Sequence, residues 1–367
     1  MIRRYLPKNV EELTRWYMRW VSPVWLVAGF LVDNFFLLRR VDVWTSNALL
    51  SFHLIVAGTS IVLLNLAEAG HLQGRRALKI VPFLPVATQF SLGALFSAFL
   101  SLYGRSAAFA TSWVFIIILA ALIILNERFV HFYMRTEVQI AAYFTVLFSF
   151  FIFSVPLIVH DMGPDIFLLS GGVSLVIIAG FLWLLERLAP EIVRSKRTHL
   201  ARVVASICVL INICYFTGAI PPLPLALKEA GVYHNVARSG DTYTLSYEPV
   251  PWYQSYLTYE TTYRRTTGEP VYVYTAIFAP TGLAATMYHQ WQQYDEAGKE
   301  WNTVATVPFY VVGGRDGGYR GYSMKSTGLA DGKWRVNVVT DYGQAIGRVS
   351  FVIQTVNTVV PVESKER

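Results

Sequence analysis

The stretch from Leu200 to His234 divides the chain into two parts that suit different solvents. Residues 203 to 220 contain no Asp, Glu, Lys, Arg or His, and their only ionisable side chains are two cysteines and one tyrosine. At about 1.5 Å per residue, a helix of this length crosses most of a hydrocarbon core. A proline-rich segment, residues 221 to 224, follows directly, and proline ends a helix because it lacks the amide donor. The pattern predicts membrane helices before this join and a folded domain after it.

Composition supports a membrane protein. The 367 residues are 54% hydrophobic and 15% charged, with a mean hydropathy of +0.41, whereas soluble domains are about 25% charged. The net charge of +7 belongs to the first part, because residues 1 to 220 hold 18 Lys and Arg against 11 Asp and Glu, and residues 221 to 367 hold 13 against 13. This asymmetry indicates membrane topology, so we expect no nucleic acid partner.

Windows of about 19 residues predict seven membrane spans between residues 21 and 220. They lie at residues 21 to 38, 47 to 66, 80 to 103, 107 to 126, 138 to 159, 166 to 185 and 203 to 220. Residues 1 to 20 mix aromatic and basic side chains, which predicts a helix lying in the membrane interface. A plain helical extension of the first span is the alternative.

The distribution of Lys and Arg predicts the orientation. Of the 18 before residue 220, Arg39, Arg40 and Arg105 fall in outer loops and the other 15 in inner segments, if the N-terminus is inside. Basic residues concentrate on the cytoplasmic side of a membrane. Seven spans would then place the C-terminal domain outside the cytoplasm.

The chain after the prolines changes its period. Residues 221 to 240 are predicted to form a short juxtamembrane helix or collar. Residues 241 to 356 alternate apolar and polar positions, with turns such as DEAGKE, GGRDGG and LADGK. This pattern is typical of an all-β antiparallel sandwich. Residues 357 to 367 are predicted to be a frayed tail.

Several residues of the second part resemble a known family. They are His289 and Trp291, Arg320 with Tyr322 and Ser323, Gly332 with Trp334, Arg335 and Val336, Gly343, and Phe351 with Val352. Residues 270 to 353 are similar to the module called domain of unknown function 2914. The segments IPPLPLALKEAGVYH and GFLVDN are similar to multi-span bacterial proteins that carry it. The resemblance implies a bacterial envelope protein of unassigned activity, and it supplies no catalytic residues. Together with the orientation from the basic residues, we expect a multi-pass protein of the bacterial inner membrane with a cytoplasmic N-terminus and a periplasmic C-terminal domain.

Four polar residues of the predicted bundle are candidates for function: Asp33, His53, Glu68 and Gln89. A carboxylate inside a span costs about 2.5 to 3.5 kcal/mol, so Asp33 is expected to face a polar interior or a cation. Either a buried ion pair that fixes helix packing or a path for protons or solutes would explain it. For His53, an interhelical hydrogen bond and catalysis are the two hypotheses, and the first is favoured.

Seven residues of the β domain are tentative ligand-binding residues: His289, Trp291, Arg320, Ser323, Lys325, Trp334 and Arg335. An exposed tryptophan can stack on a sugar ring, and an arginine beside it can bind an acidic glycan or a peptide. The alternative, which we favour, places Trp291 and Trp334 in the core between two sheets and the three basic residues on a solvated edge. Tyr288, Gln290, Gln292 and Tyr294 fall on the face of the strand opposite to His289.

No catalytic motif, metal-ligand spacing or cofactor motif is apparent in this sequence. We therefore expect a binding or sensing module, in which the exported sandwich binds an envelope glycan or protein and the bundle anchors it in the lipid bilayer. A scaffold for an envelope complex is a related hypothesis. A transporter, or a membrane enzyme acting on lipid-linked substrates through the polar residues of the bundle, is the alternative from another class. The sequence predicts no oligomeric state.

Overall fold

The computed structural model of the chain describes residues 44 to 72, 80 to 106, 117 to 121, 123, 135 to 222, 224 to 249, 261 to 315 and 317 to 367. Along the chain, a helical unit ends at Ile220 and a second compact unit begins at Pro221. The first unit is built of long apolar helices and the second of β-strands.

Five long helices occupy the described part of the first unit. They are α1 (Trp44–Glu68), α2 (Leu84–Ser106), α3 (Thr136–Val159), α4 (Pro164–Leu188) and α5 (Pro190–Phe216). Each is long and apolar enough to cross a membrane. These helices overlap the second, third, fifth, sixth and seventh predicted spans. Helix α5 begins earlier than predicted, because Pro190 is suited to the first turn of a helix and the charged residues after it continue the helix.

The described residues support five spans and do not support the predicted count of seven. The predicted interfacial helix (residues 1 to 20), the first span (residues 21 to 38) and Asp33 lie outside the described residues. Of the fourth span, only residues 117 to 121 and 123 are described, and they are helical.

Polar side chains join α1 to α3 inside the helical unit. The amide of Asn65 donates to Gln139 Oε1 at 2.9 Å, and the Thr136 hydroxyl donates to Asn65 Oδ1 at 2.9 Å. Nearby, Gly58 of α1 lies so close to Tyr143 of α3 that an added Cβ would be 2.8 Å from the tyrosine Oη. The absence of a side chain therefore allows these two helices to approach, as is common between membrane helices.

Helices α4 and α5 carry large apolar side chains on their outer surfaces. Exposed examples are Leu168, Val176, Trp183, Val209, Ile213 and Phe216. A soluble protein rarely exposes so continuous an apolar surface to water. This distribution fits helices whose outer faces contact lipid.

The second unit contains eleven strands in its described part. They are β1 (Ala226–Tyr233), β2 (Asn235–Ser239), β3 (Thr242–Tyr247), β4 (Thr261–Arg265), β5 (Val271–Phe278), β6 (Ala284–Asp295), β7 (Glu300–Val312), β8 (Tyr319–Lys325), β9 (Gly332–Thr340), β10 (Ala345–Thr355) and β11 (Glu363–Glu366). They form a five-stranded sheet in the order β4-β10-β9-β6-β7 and two three-stranded sheets, β1-β5-β8 and β11-β3-β2.

The three sheets pack in layers, and the sheet β1-β5-β8 is the middle sheet. Val271 and Val273 of β5 pack with Trp291, Trp334 and Phe351 of the five-stranded sheet. The alternate positions of β5, Tyr274 and Ala276, pack with residues of β2 and β3. Because both faces of β5 are covered, the strand is apolar almost throughout, as expected of a strand buried on two sides.

The predicted antiparallel sandwich needs two corrections. A third layer is present, because β2, β3 and β11 cover the outer face of the middle sheet. Strands β4 and β10 are parallel, with Phe351 opposite Thr261. A parallel pair needs a long connection between its strands, and the intervening chain supplies it. All other strand pairs of the described residues are antiparallel.

The segment predicted as a short helix or collar, residues 221 to 240, contains β1 and β2, so the prediction of a helix is wrong. Its LALKEAG sequence suits a helix locally, but pairing along the whole of β5 outweighs that weak propensity. The predicted frayed tail, residues 357 to 367, contains β11, which pairs with β3. Glu229 of β1 accepts hydrogen bonds at 3.0 Å from Lys365 and from Arg367 and so fixes this end of the chain.

Candidate functional site

The second unit, which we call the β unit, contains a polar cluster in its interior. The cluster is formed by His289, Ser323 and Trp291. Strand alternation directs His289 and Trp291 inward from β6, where both are fully buried. His289 Nδ1 lies 2.9 Å from Ser323 Oγ, and Nε2 lies 2.9 Å from Thr275 Oγ1. The Trp291 indole N–H donates to Ser323 Oγ at 3.0 Å. These residues form a hydrogen-bonded core cluster that a ligand cannot reach in this conformation.

The hydrogen bond of Thr275 to a backbone carbonyl favours one histidine tautomer. The Thr275 hydroxyl donates to the Gly321 carbonyl at 3.5 Å, so Thr275 Oγ1 accepts from His289 Nε2–H. The Ser323 hydroxyl then donates to the unprotonated Nδ1 while accepting from Trp291. Burial lowers the pKa of His289 to about 4, because a charged imidazole is costly in an apolar interior.

The other predicted residues of the β unit do not join this cluster. Trp334 is fully buried, and its indole N–H donates to the Ala330 carbonyl at 2.8 Å. Arg320 and Lys325 lie on β8 of the middle sheet, where Arg320 donates to the Asp241 carbonyl at 2.8 Å. Arg335 lies on β9 of the five-stranded sheet. The seven predicted residues therefore occupy a core and two separate surfaces.

Arg335 belongs to a polar network on the outer face of the five-stranded sheet. Pairing of β6 with β9 sets Gln292 opposite Arg335 and Gln290 opposite Asn337. Pairing of β9 with β10 sets Arg348 opposite Asn337. Alternation along each strand turns these five side chains away from the core. We call them the outer-face network.

Hydrogen bonds hold the outer-face network in one arrangement. Arg335 Nε donates to Gln292 Oε1 at 2.7 Å, and Arg348 Nε donates to Asn337 Oδ1 at 2.7 Å. The Asn337 amide N–H donates to Gln292 Oε1 at 3.0 Å and to Gln290 Oε1 at 3.3 Å. Since arginine can only donate, these contacts also define which amide atoms are oxygen.

The electrostatics of the two arginines are unusual. Burial, and secondarily the positive charge of Arg348, lower the pKa of Arg335 to about 10, and burial lowers the pKa of Arg348. Arg335 therefore stays charged at neutral pH. The Arg335 guanidinium lies 4.1 Å from the ring centroid of Trp301 on β7, a cation–π distance. Tyr294 flanks the same tryptophan, with ring centroids 5.1 Å apart.

Sequence reasoning found Arg335 and missed Arg348, Gln290, Gln292, Asn337 and Trp301 as partners. The available signal was the alternation of Tyr288, Gln290, Gln292 and Tyr294 on the face of β6 opposite His289. The pairing register of β6, β9 and β10 then brings the polar positions of three strands together, and that register is a property of the folded sheet.

His234 forms a second polar cluster at the junction of β1 and β2. Its Nδ1 lies 2.6 Å from Glu269 Oε1 and its Nε2 lies 3.4 Å from Glu248 Oε1. The ring stacks on Tyr263 at 4.4 Å between centroids. Burial opposes ionisation of Glu269, but hydrogen bonds from His234 and from the Thr266 N–H and hydroxyl leave the pKa of this carboxyl below its usual range.

Three of the predicted intramembrane residues lie on described helices, His53 and Glu68 on α1 and Gln89 on α2. His53 lies half-buried between the rings of Phe52 and Phe90, and its Nδ1 has no hydrogen-bond partner among the described residues. Gln89 is buried in α2. Glu68 is exposed at the end of α1. The hydrogen bonds of Asn65 with Gln139 and Thr136, which join α1 to α3, were not predicted.

Within the described residues, no group of three or more His, Cys, Asp and Glu side chains could hold a metal ion. The buried Cys214 and partly buried Cys208 of α5 are both free thiols.

Comparison with known proteins bears on the β unit. A search of curated proteins finds no match. Among solved structures, an alkylpurine DNA glycosylase, AlkC from Pseudomonas fluorescens, bound to DNA containing an abasic site analog, matches with 11% identity over 82% of this chain and 96% of its own, at a TM-score of 0.20. A score this low carries no argument about fold or function. The family model described as Protein of unknown function (DUF2914) matches residues 284–353, the stretch from β6 through most of β10, which confirms the predicted resemblance in the C-terminal region.

Proposed function

We propose that this protein is a membrane-anchored binding module of the bacterial envelope, and that its β unit binds an envelope ligand through the outer-face network. The observation that carries the proposal is the set of hydrogen bonds that fixes Arg335, Gln292, Asn337 and Arg348 on one sheet face. Binding sites need polar groups that are positioned before the ligand arrives. The family match covers the strands that contribute these residues.

The proposed orientation rests on the distribution of basic residues. Two further spans, at residues 21 to 38 and 107 to 126, would complete a bundle of seven with a cytoplasmic N-terminus. The β unit would then lie in the periplasm of a bacterium with an inner membrane. The 15 inner and three outer Lys and Arg residues support this arrangement.

Binding is favoured over catalysis in the β unit by the environment of the Ser–His contact between the described strands β6 and β8. Ser323 and His289 are at hydrogen-bond distance, but both are buried, and the serine oxygen already accepts from Trp291. A nucleophile needs access to its substrate and a base oriented by a third group. The cluster instead satisfies buried polar groups between two sheets.

A glycan is favoured over a protein as the ligand. The outer-face network presents two guanidinium groups and the amide of Gln290, with Tyr294 and Trp301 beside them. Sugar hydroxyl groups pair well with amide and guanidinium groups that have fixed orientations, and aromatic rings supply a surface for stacking. A protein partner in an envelope complex is the competing outcome.

Retention of envelope fractions by the full-length protein in phosphatidylcholine nanodiscs would test the proposal. We expect a saccharide fraction to be retained, and the change Gln292→Ala to weaken retention about tenfold, which corresponds to roughly 1.4 kcal/mol. Met324→Ala, on the exposed face of β8, is the control and should leave retention unchanged. Retention of protein alone would favour the scaffold, and equal retention by Gln292→Ala and wild type would refute the proposed face.

A transporter or membrane enzyme is the second candidate, and the buried Nδ1 of His53 motivates it, since it has no hydrogen-bond partner in the described helices. An intramembrane polar group is a candidate for function by default. Solute or proton uptake by liposomes that contain the protein, abolished by His53→Leu without loss of folded protein, would support this candidate. If the liposomes take up no solute or proton, the transporter candidate is refuted and His53 is a packing residue.

A further inference from the structure

Arg335 and Arg348 are diagonal neighbours on the outer face of the five-stranded sheet. Arg335 lies opposite Ser350, and Arg348 lies opposite Asn337, two residues further along β9. Diagonal positions on neighbouring antiparallel strands are about 7 to 8 Å apart, within reach of long side chains. The two guanidinium groups are close enough that the charge of Arg348 lowers the pKa of Arg335.

Each guanidinium is fixed through one nitrogen and leaves the others available. Amide oxygens accept from the Nε of both arginines. Among the residues that the structure describes, the four Nη atoms of the pair make no hydrogen bond and no ion pair. An arginine has five N–H donors in a planar fork that matches a carboxylate or a phosphate. The network therefore orients two forks whose outer edges are free of protein partners in the described chain.

In the part of the chain that the structure describes, other basic residues on this sheet form ion pairs with carboxylates, unlike the two arginines of the outer-face network. Arg264 lies 3.4 Å from Glu248, and Lys333 lies 3.9 Å from Glu296. These more exposed cations have carboxylates, whereas neither half-buried arginine has one within the described residues. Partly buried like charges without a counter-charge are destabilising. An oxyanion between them would remove that cost and fill both forks.

We propose that Arg335 and Arg348 together bind one oxyanion, a carboxylate or a phosphate, carried on a saccharide. That the ligand is a glycan rests on the proposed function. That the ligand carries a negative charge rests on the geometry of the two arginine side chains. The amide N–H groups of Gln290, on the neighbouring strand β6, would face the sugar hydroxyl groups beside that anion, while Gln292, whose amide is hydrogen-bonded to Thr303 and Arg335, positions the network from below. The ligand class is thus an acidic glycan.

Titration calorimetry on the full-length protein in phosphatidylcholine nanodiscs tests this proposal. The probes are trigalacturonate for a sugar carboxylate, glucose 6-phosphate for a sugar phosphate, and neutral maltotriose. We expect one acidic probe to bind, with an affinity that falls as salt rises. Preference between the first two probes identifies the source of the anion. Failure of both acidic probes to bind would overturn the inference.

Charge-matched variants locate the site. Arg335→Gln and Arg348→Gln should each weaken binding of the acidic probe by tenfold or more, and Arg238→Gln, which removes an arginine from β2, should change that affinity less than twofold. Arg348→Lys keeps the charge and loses the fork, so it should bind with intermediate affinity. Equal affinities for the Arg335→Gln variant and the wild type would refute the site.

Hydrogen exchange of the wild-type protein keeps the inference testable if a variant does not fold. The acidic probe should slow exchange in β6, β9 and β10 and leave β2 and β3 unchanged. Slower exchange in other strands and not in β6, β9 and β10 would refute the proposed site. Maltotriose binding that is insensitive to both arginine changes would sustain a glycan module and refute the oxyanion, which separates the failure of this inference from the failure of the proposed function.

Discussion

The imidazole Nε2 of His289 lies 2.9 Å from the hydroxyl of Thr275, across the interface between the five-stranded and the middle sheet. Both residues are fully buried. The contact ties β6 to β5 at the centre of the β unit, and Ser323 extends it to β8. A polar cluster in this position specifies how the two sheets face each other, because displacement would leave buried donors unpaired.

Removing one partner from this cluster should destabilise the β unit. Ser323→Ala leaves the Trp291 N–H without its acceptor and His289 Nδ1 without its donor, at a cost of about 2 to 4 kcal/mol. Met324→Ala on the same strand is the control and should cost well under 1 kcal/mol. Hydrogen exchange of β6 amides in the full-length protein measures the opening free energy. Equal exchange in both variants would contradict a structural role for the cluster.

The neutral His289 makes stability depend on pH. Its pKa falls from 6.5 to about 4 on folding, so the unfolded state binds the proton first as pH falls. The stabilisation is complete above about pH 6.5 and is lost progressively down to about pH 4, by roughly 3 kcal/mol in total. Side-chain ¹⁵N shifts, assigned by difference against His289→Gln, should show a neutral Nε2–H tautomer at pH 6. A charged ring at that pH would contradict the burial argument.

Glu229 should hold β11 against the β unit. Its carboxylate lies 3.0 Å from Lys365 Nζ and 2.8 Å from Arg367 Nε. Burial opposes ionisation of Glu229, but these partners leave the pKa of the carboxyl below its usual range. The resulting stabilisation is present above the ordinary glutamate pKa of about 4.3 and is lost as pH falls through the lower folded value.

Glu229→Gln tests this contact. Partly exposed ion pairs contribute about 1 kcal/mol or less, so we expect faster hydrogen exchange at residues 363 to 366 and little change in β5. Glu366→Gln removes an exposed carboxylate from β11 itself and keeps the Glu229 pairs, which makes it the matched control. Unchanged exchange in β11 after Glu229→Gln would show that strand pairing with β3 alone holds the segment.

Gly58 should be required for the approach of α1 to α3. An alanine Cβ there would lie 2.8 Å from Tyr143 Oη, which forces a shift costing about 1 to 3 kcal/mol. Gly172→Ala in α4 meets no atom within 4 Å and should be neutral or slightly stabilising. Thermal stability in detergent compares the two variants. Adding Tyr143→Phe should partly restore Gly58→Ala, and no restoration would argue against this contact.

The parts of the fold that the sequence predicts well are those governed by local patterns. Apolar runs predict α1 to α5 because a membrane helix satisfies its own backbone hydrogen bonds. Alternation along β6 separates His289 from Gln292. Pairing partners are non-local, so the strand at Ala226–Tyr233, the parallel pair of β4 with β10, and the meeting of Arg335 with Arg348 all depend on register in the folded sheet.

In the proposed orientation the β unit lies outside the cytoplasm, where an envelope ligand can reach the outer-face network. Two reporters fused after Arg367 test it directly: alkaline phosphatase, active only outside the cytoplasm, and a green fluorescent protein that fluoresces only inside. The same reporters fused after Leu72, in a predicted inner segment, are the control. The account predicts active phosphatase and no fluorescence after Arg367, with the reverse after Leu72. Fluorescence without phosphatase activity after Arg367 would contradict it.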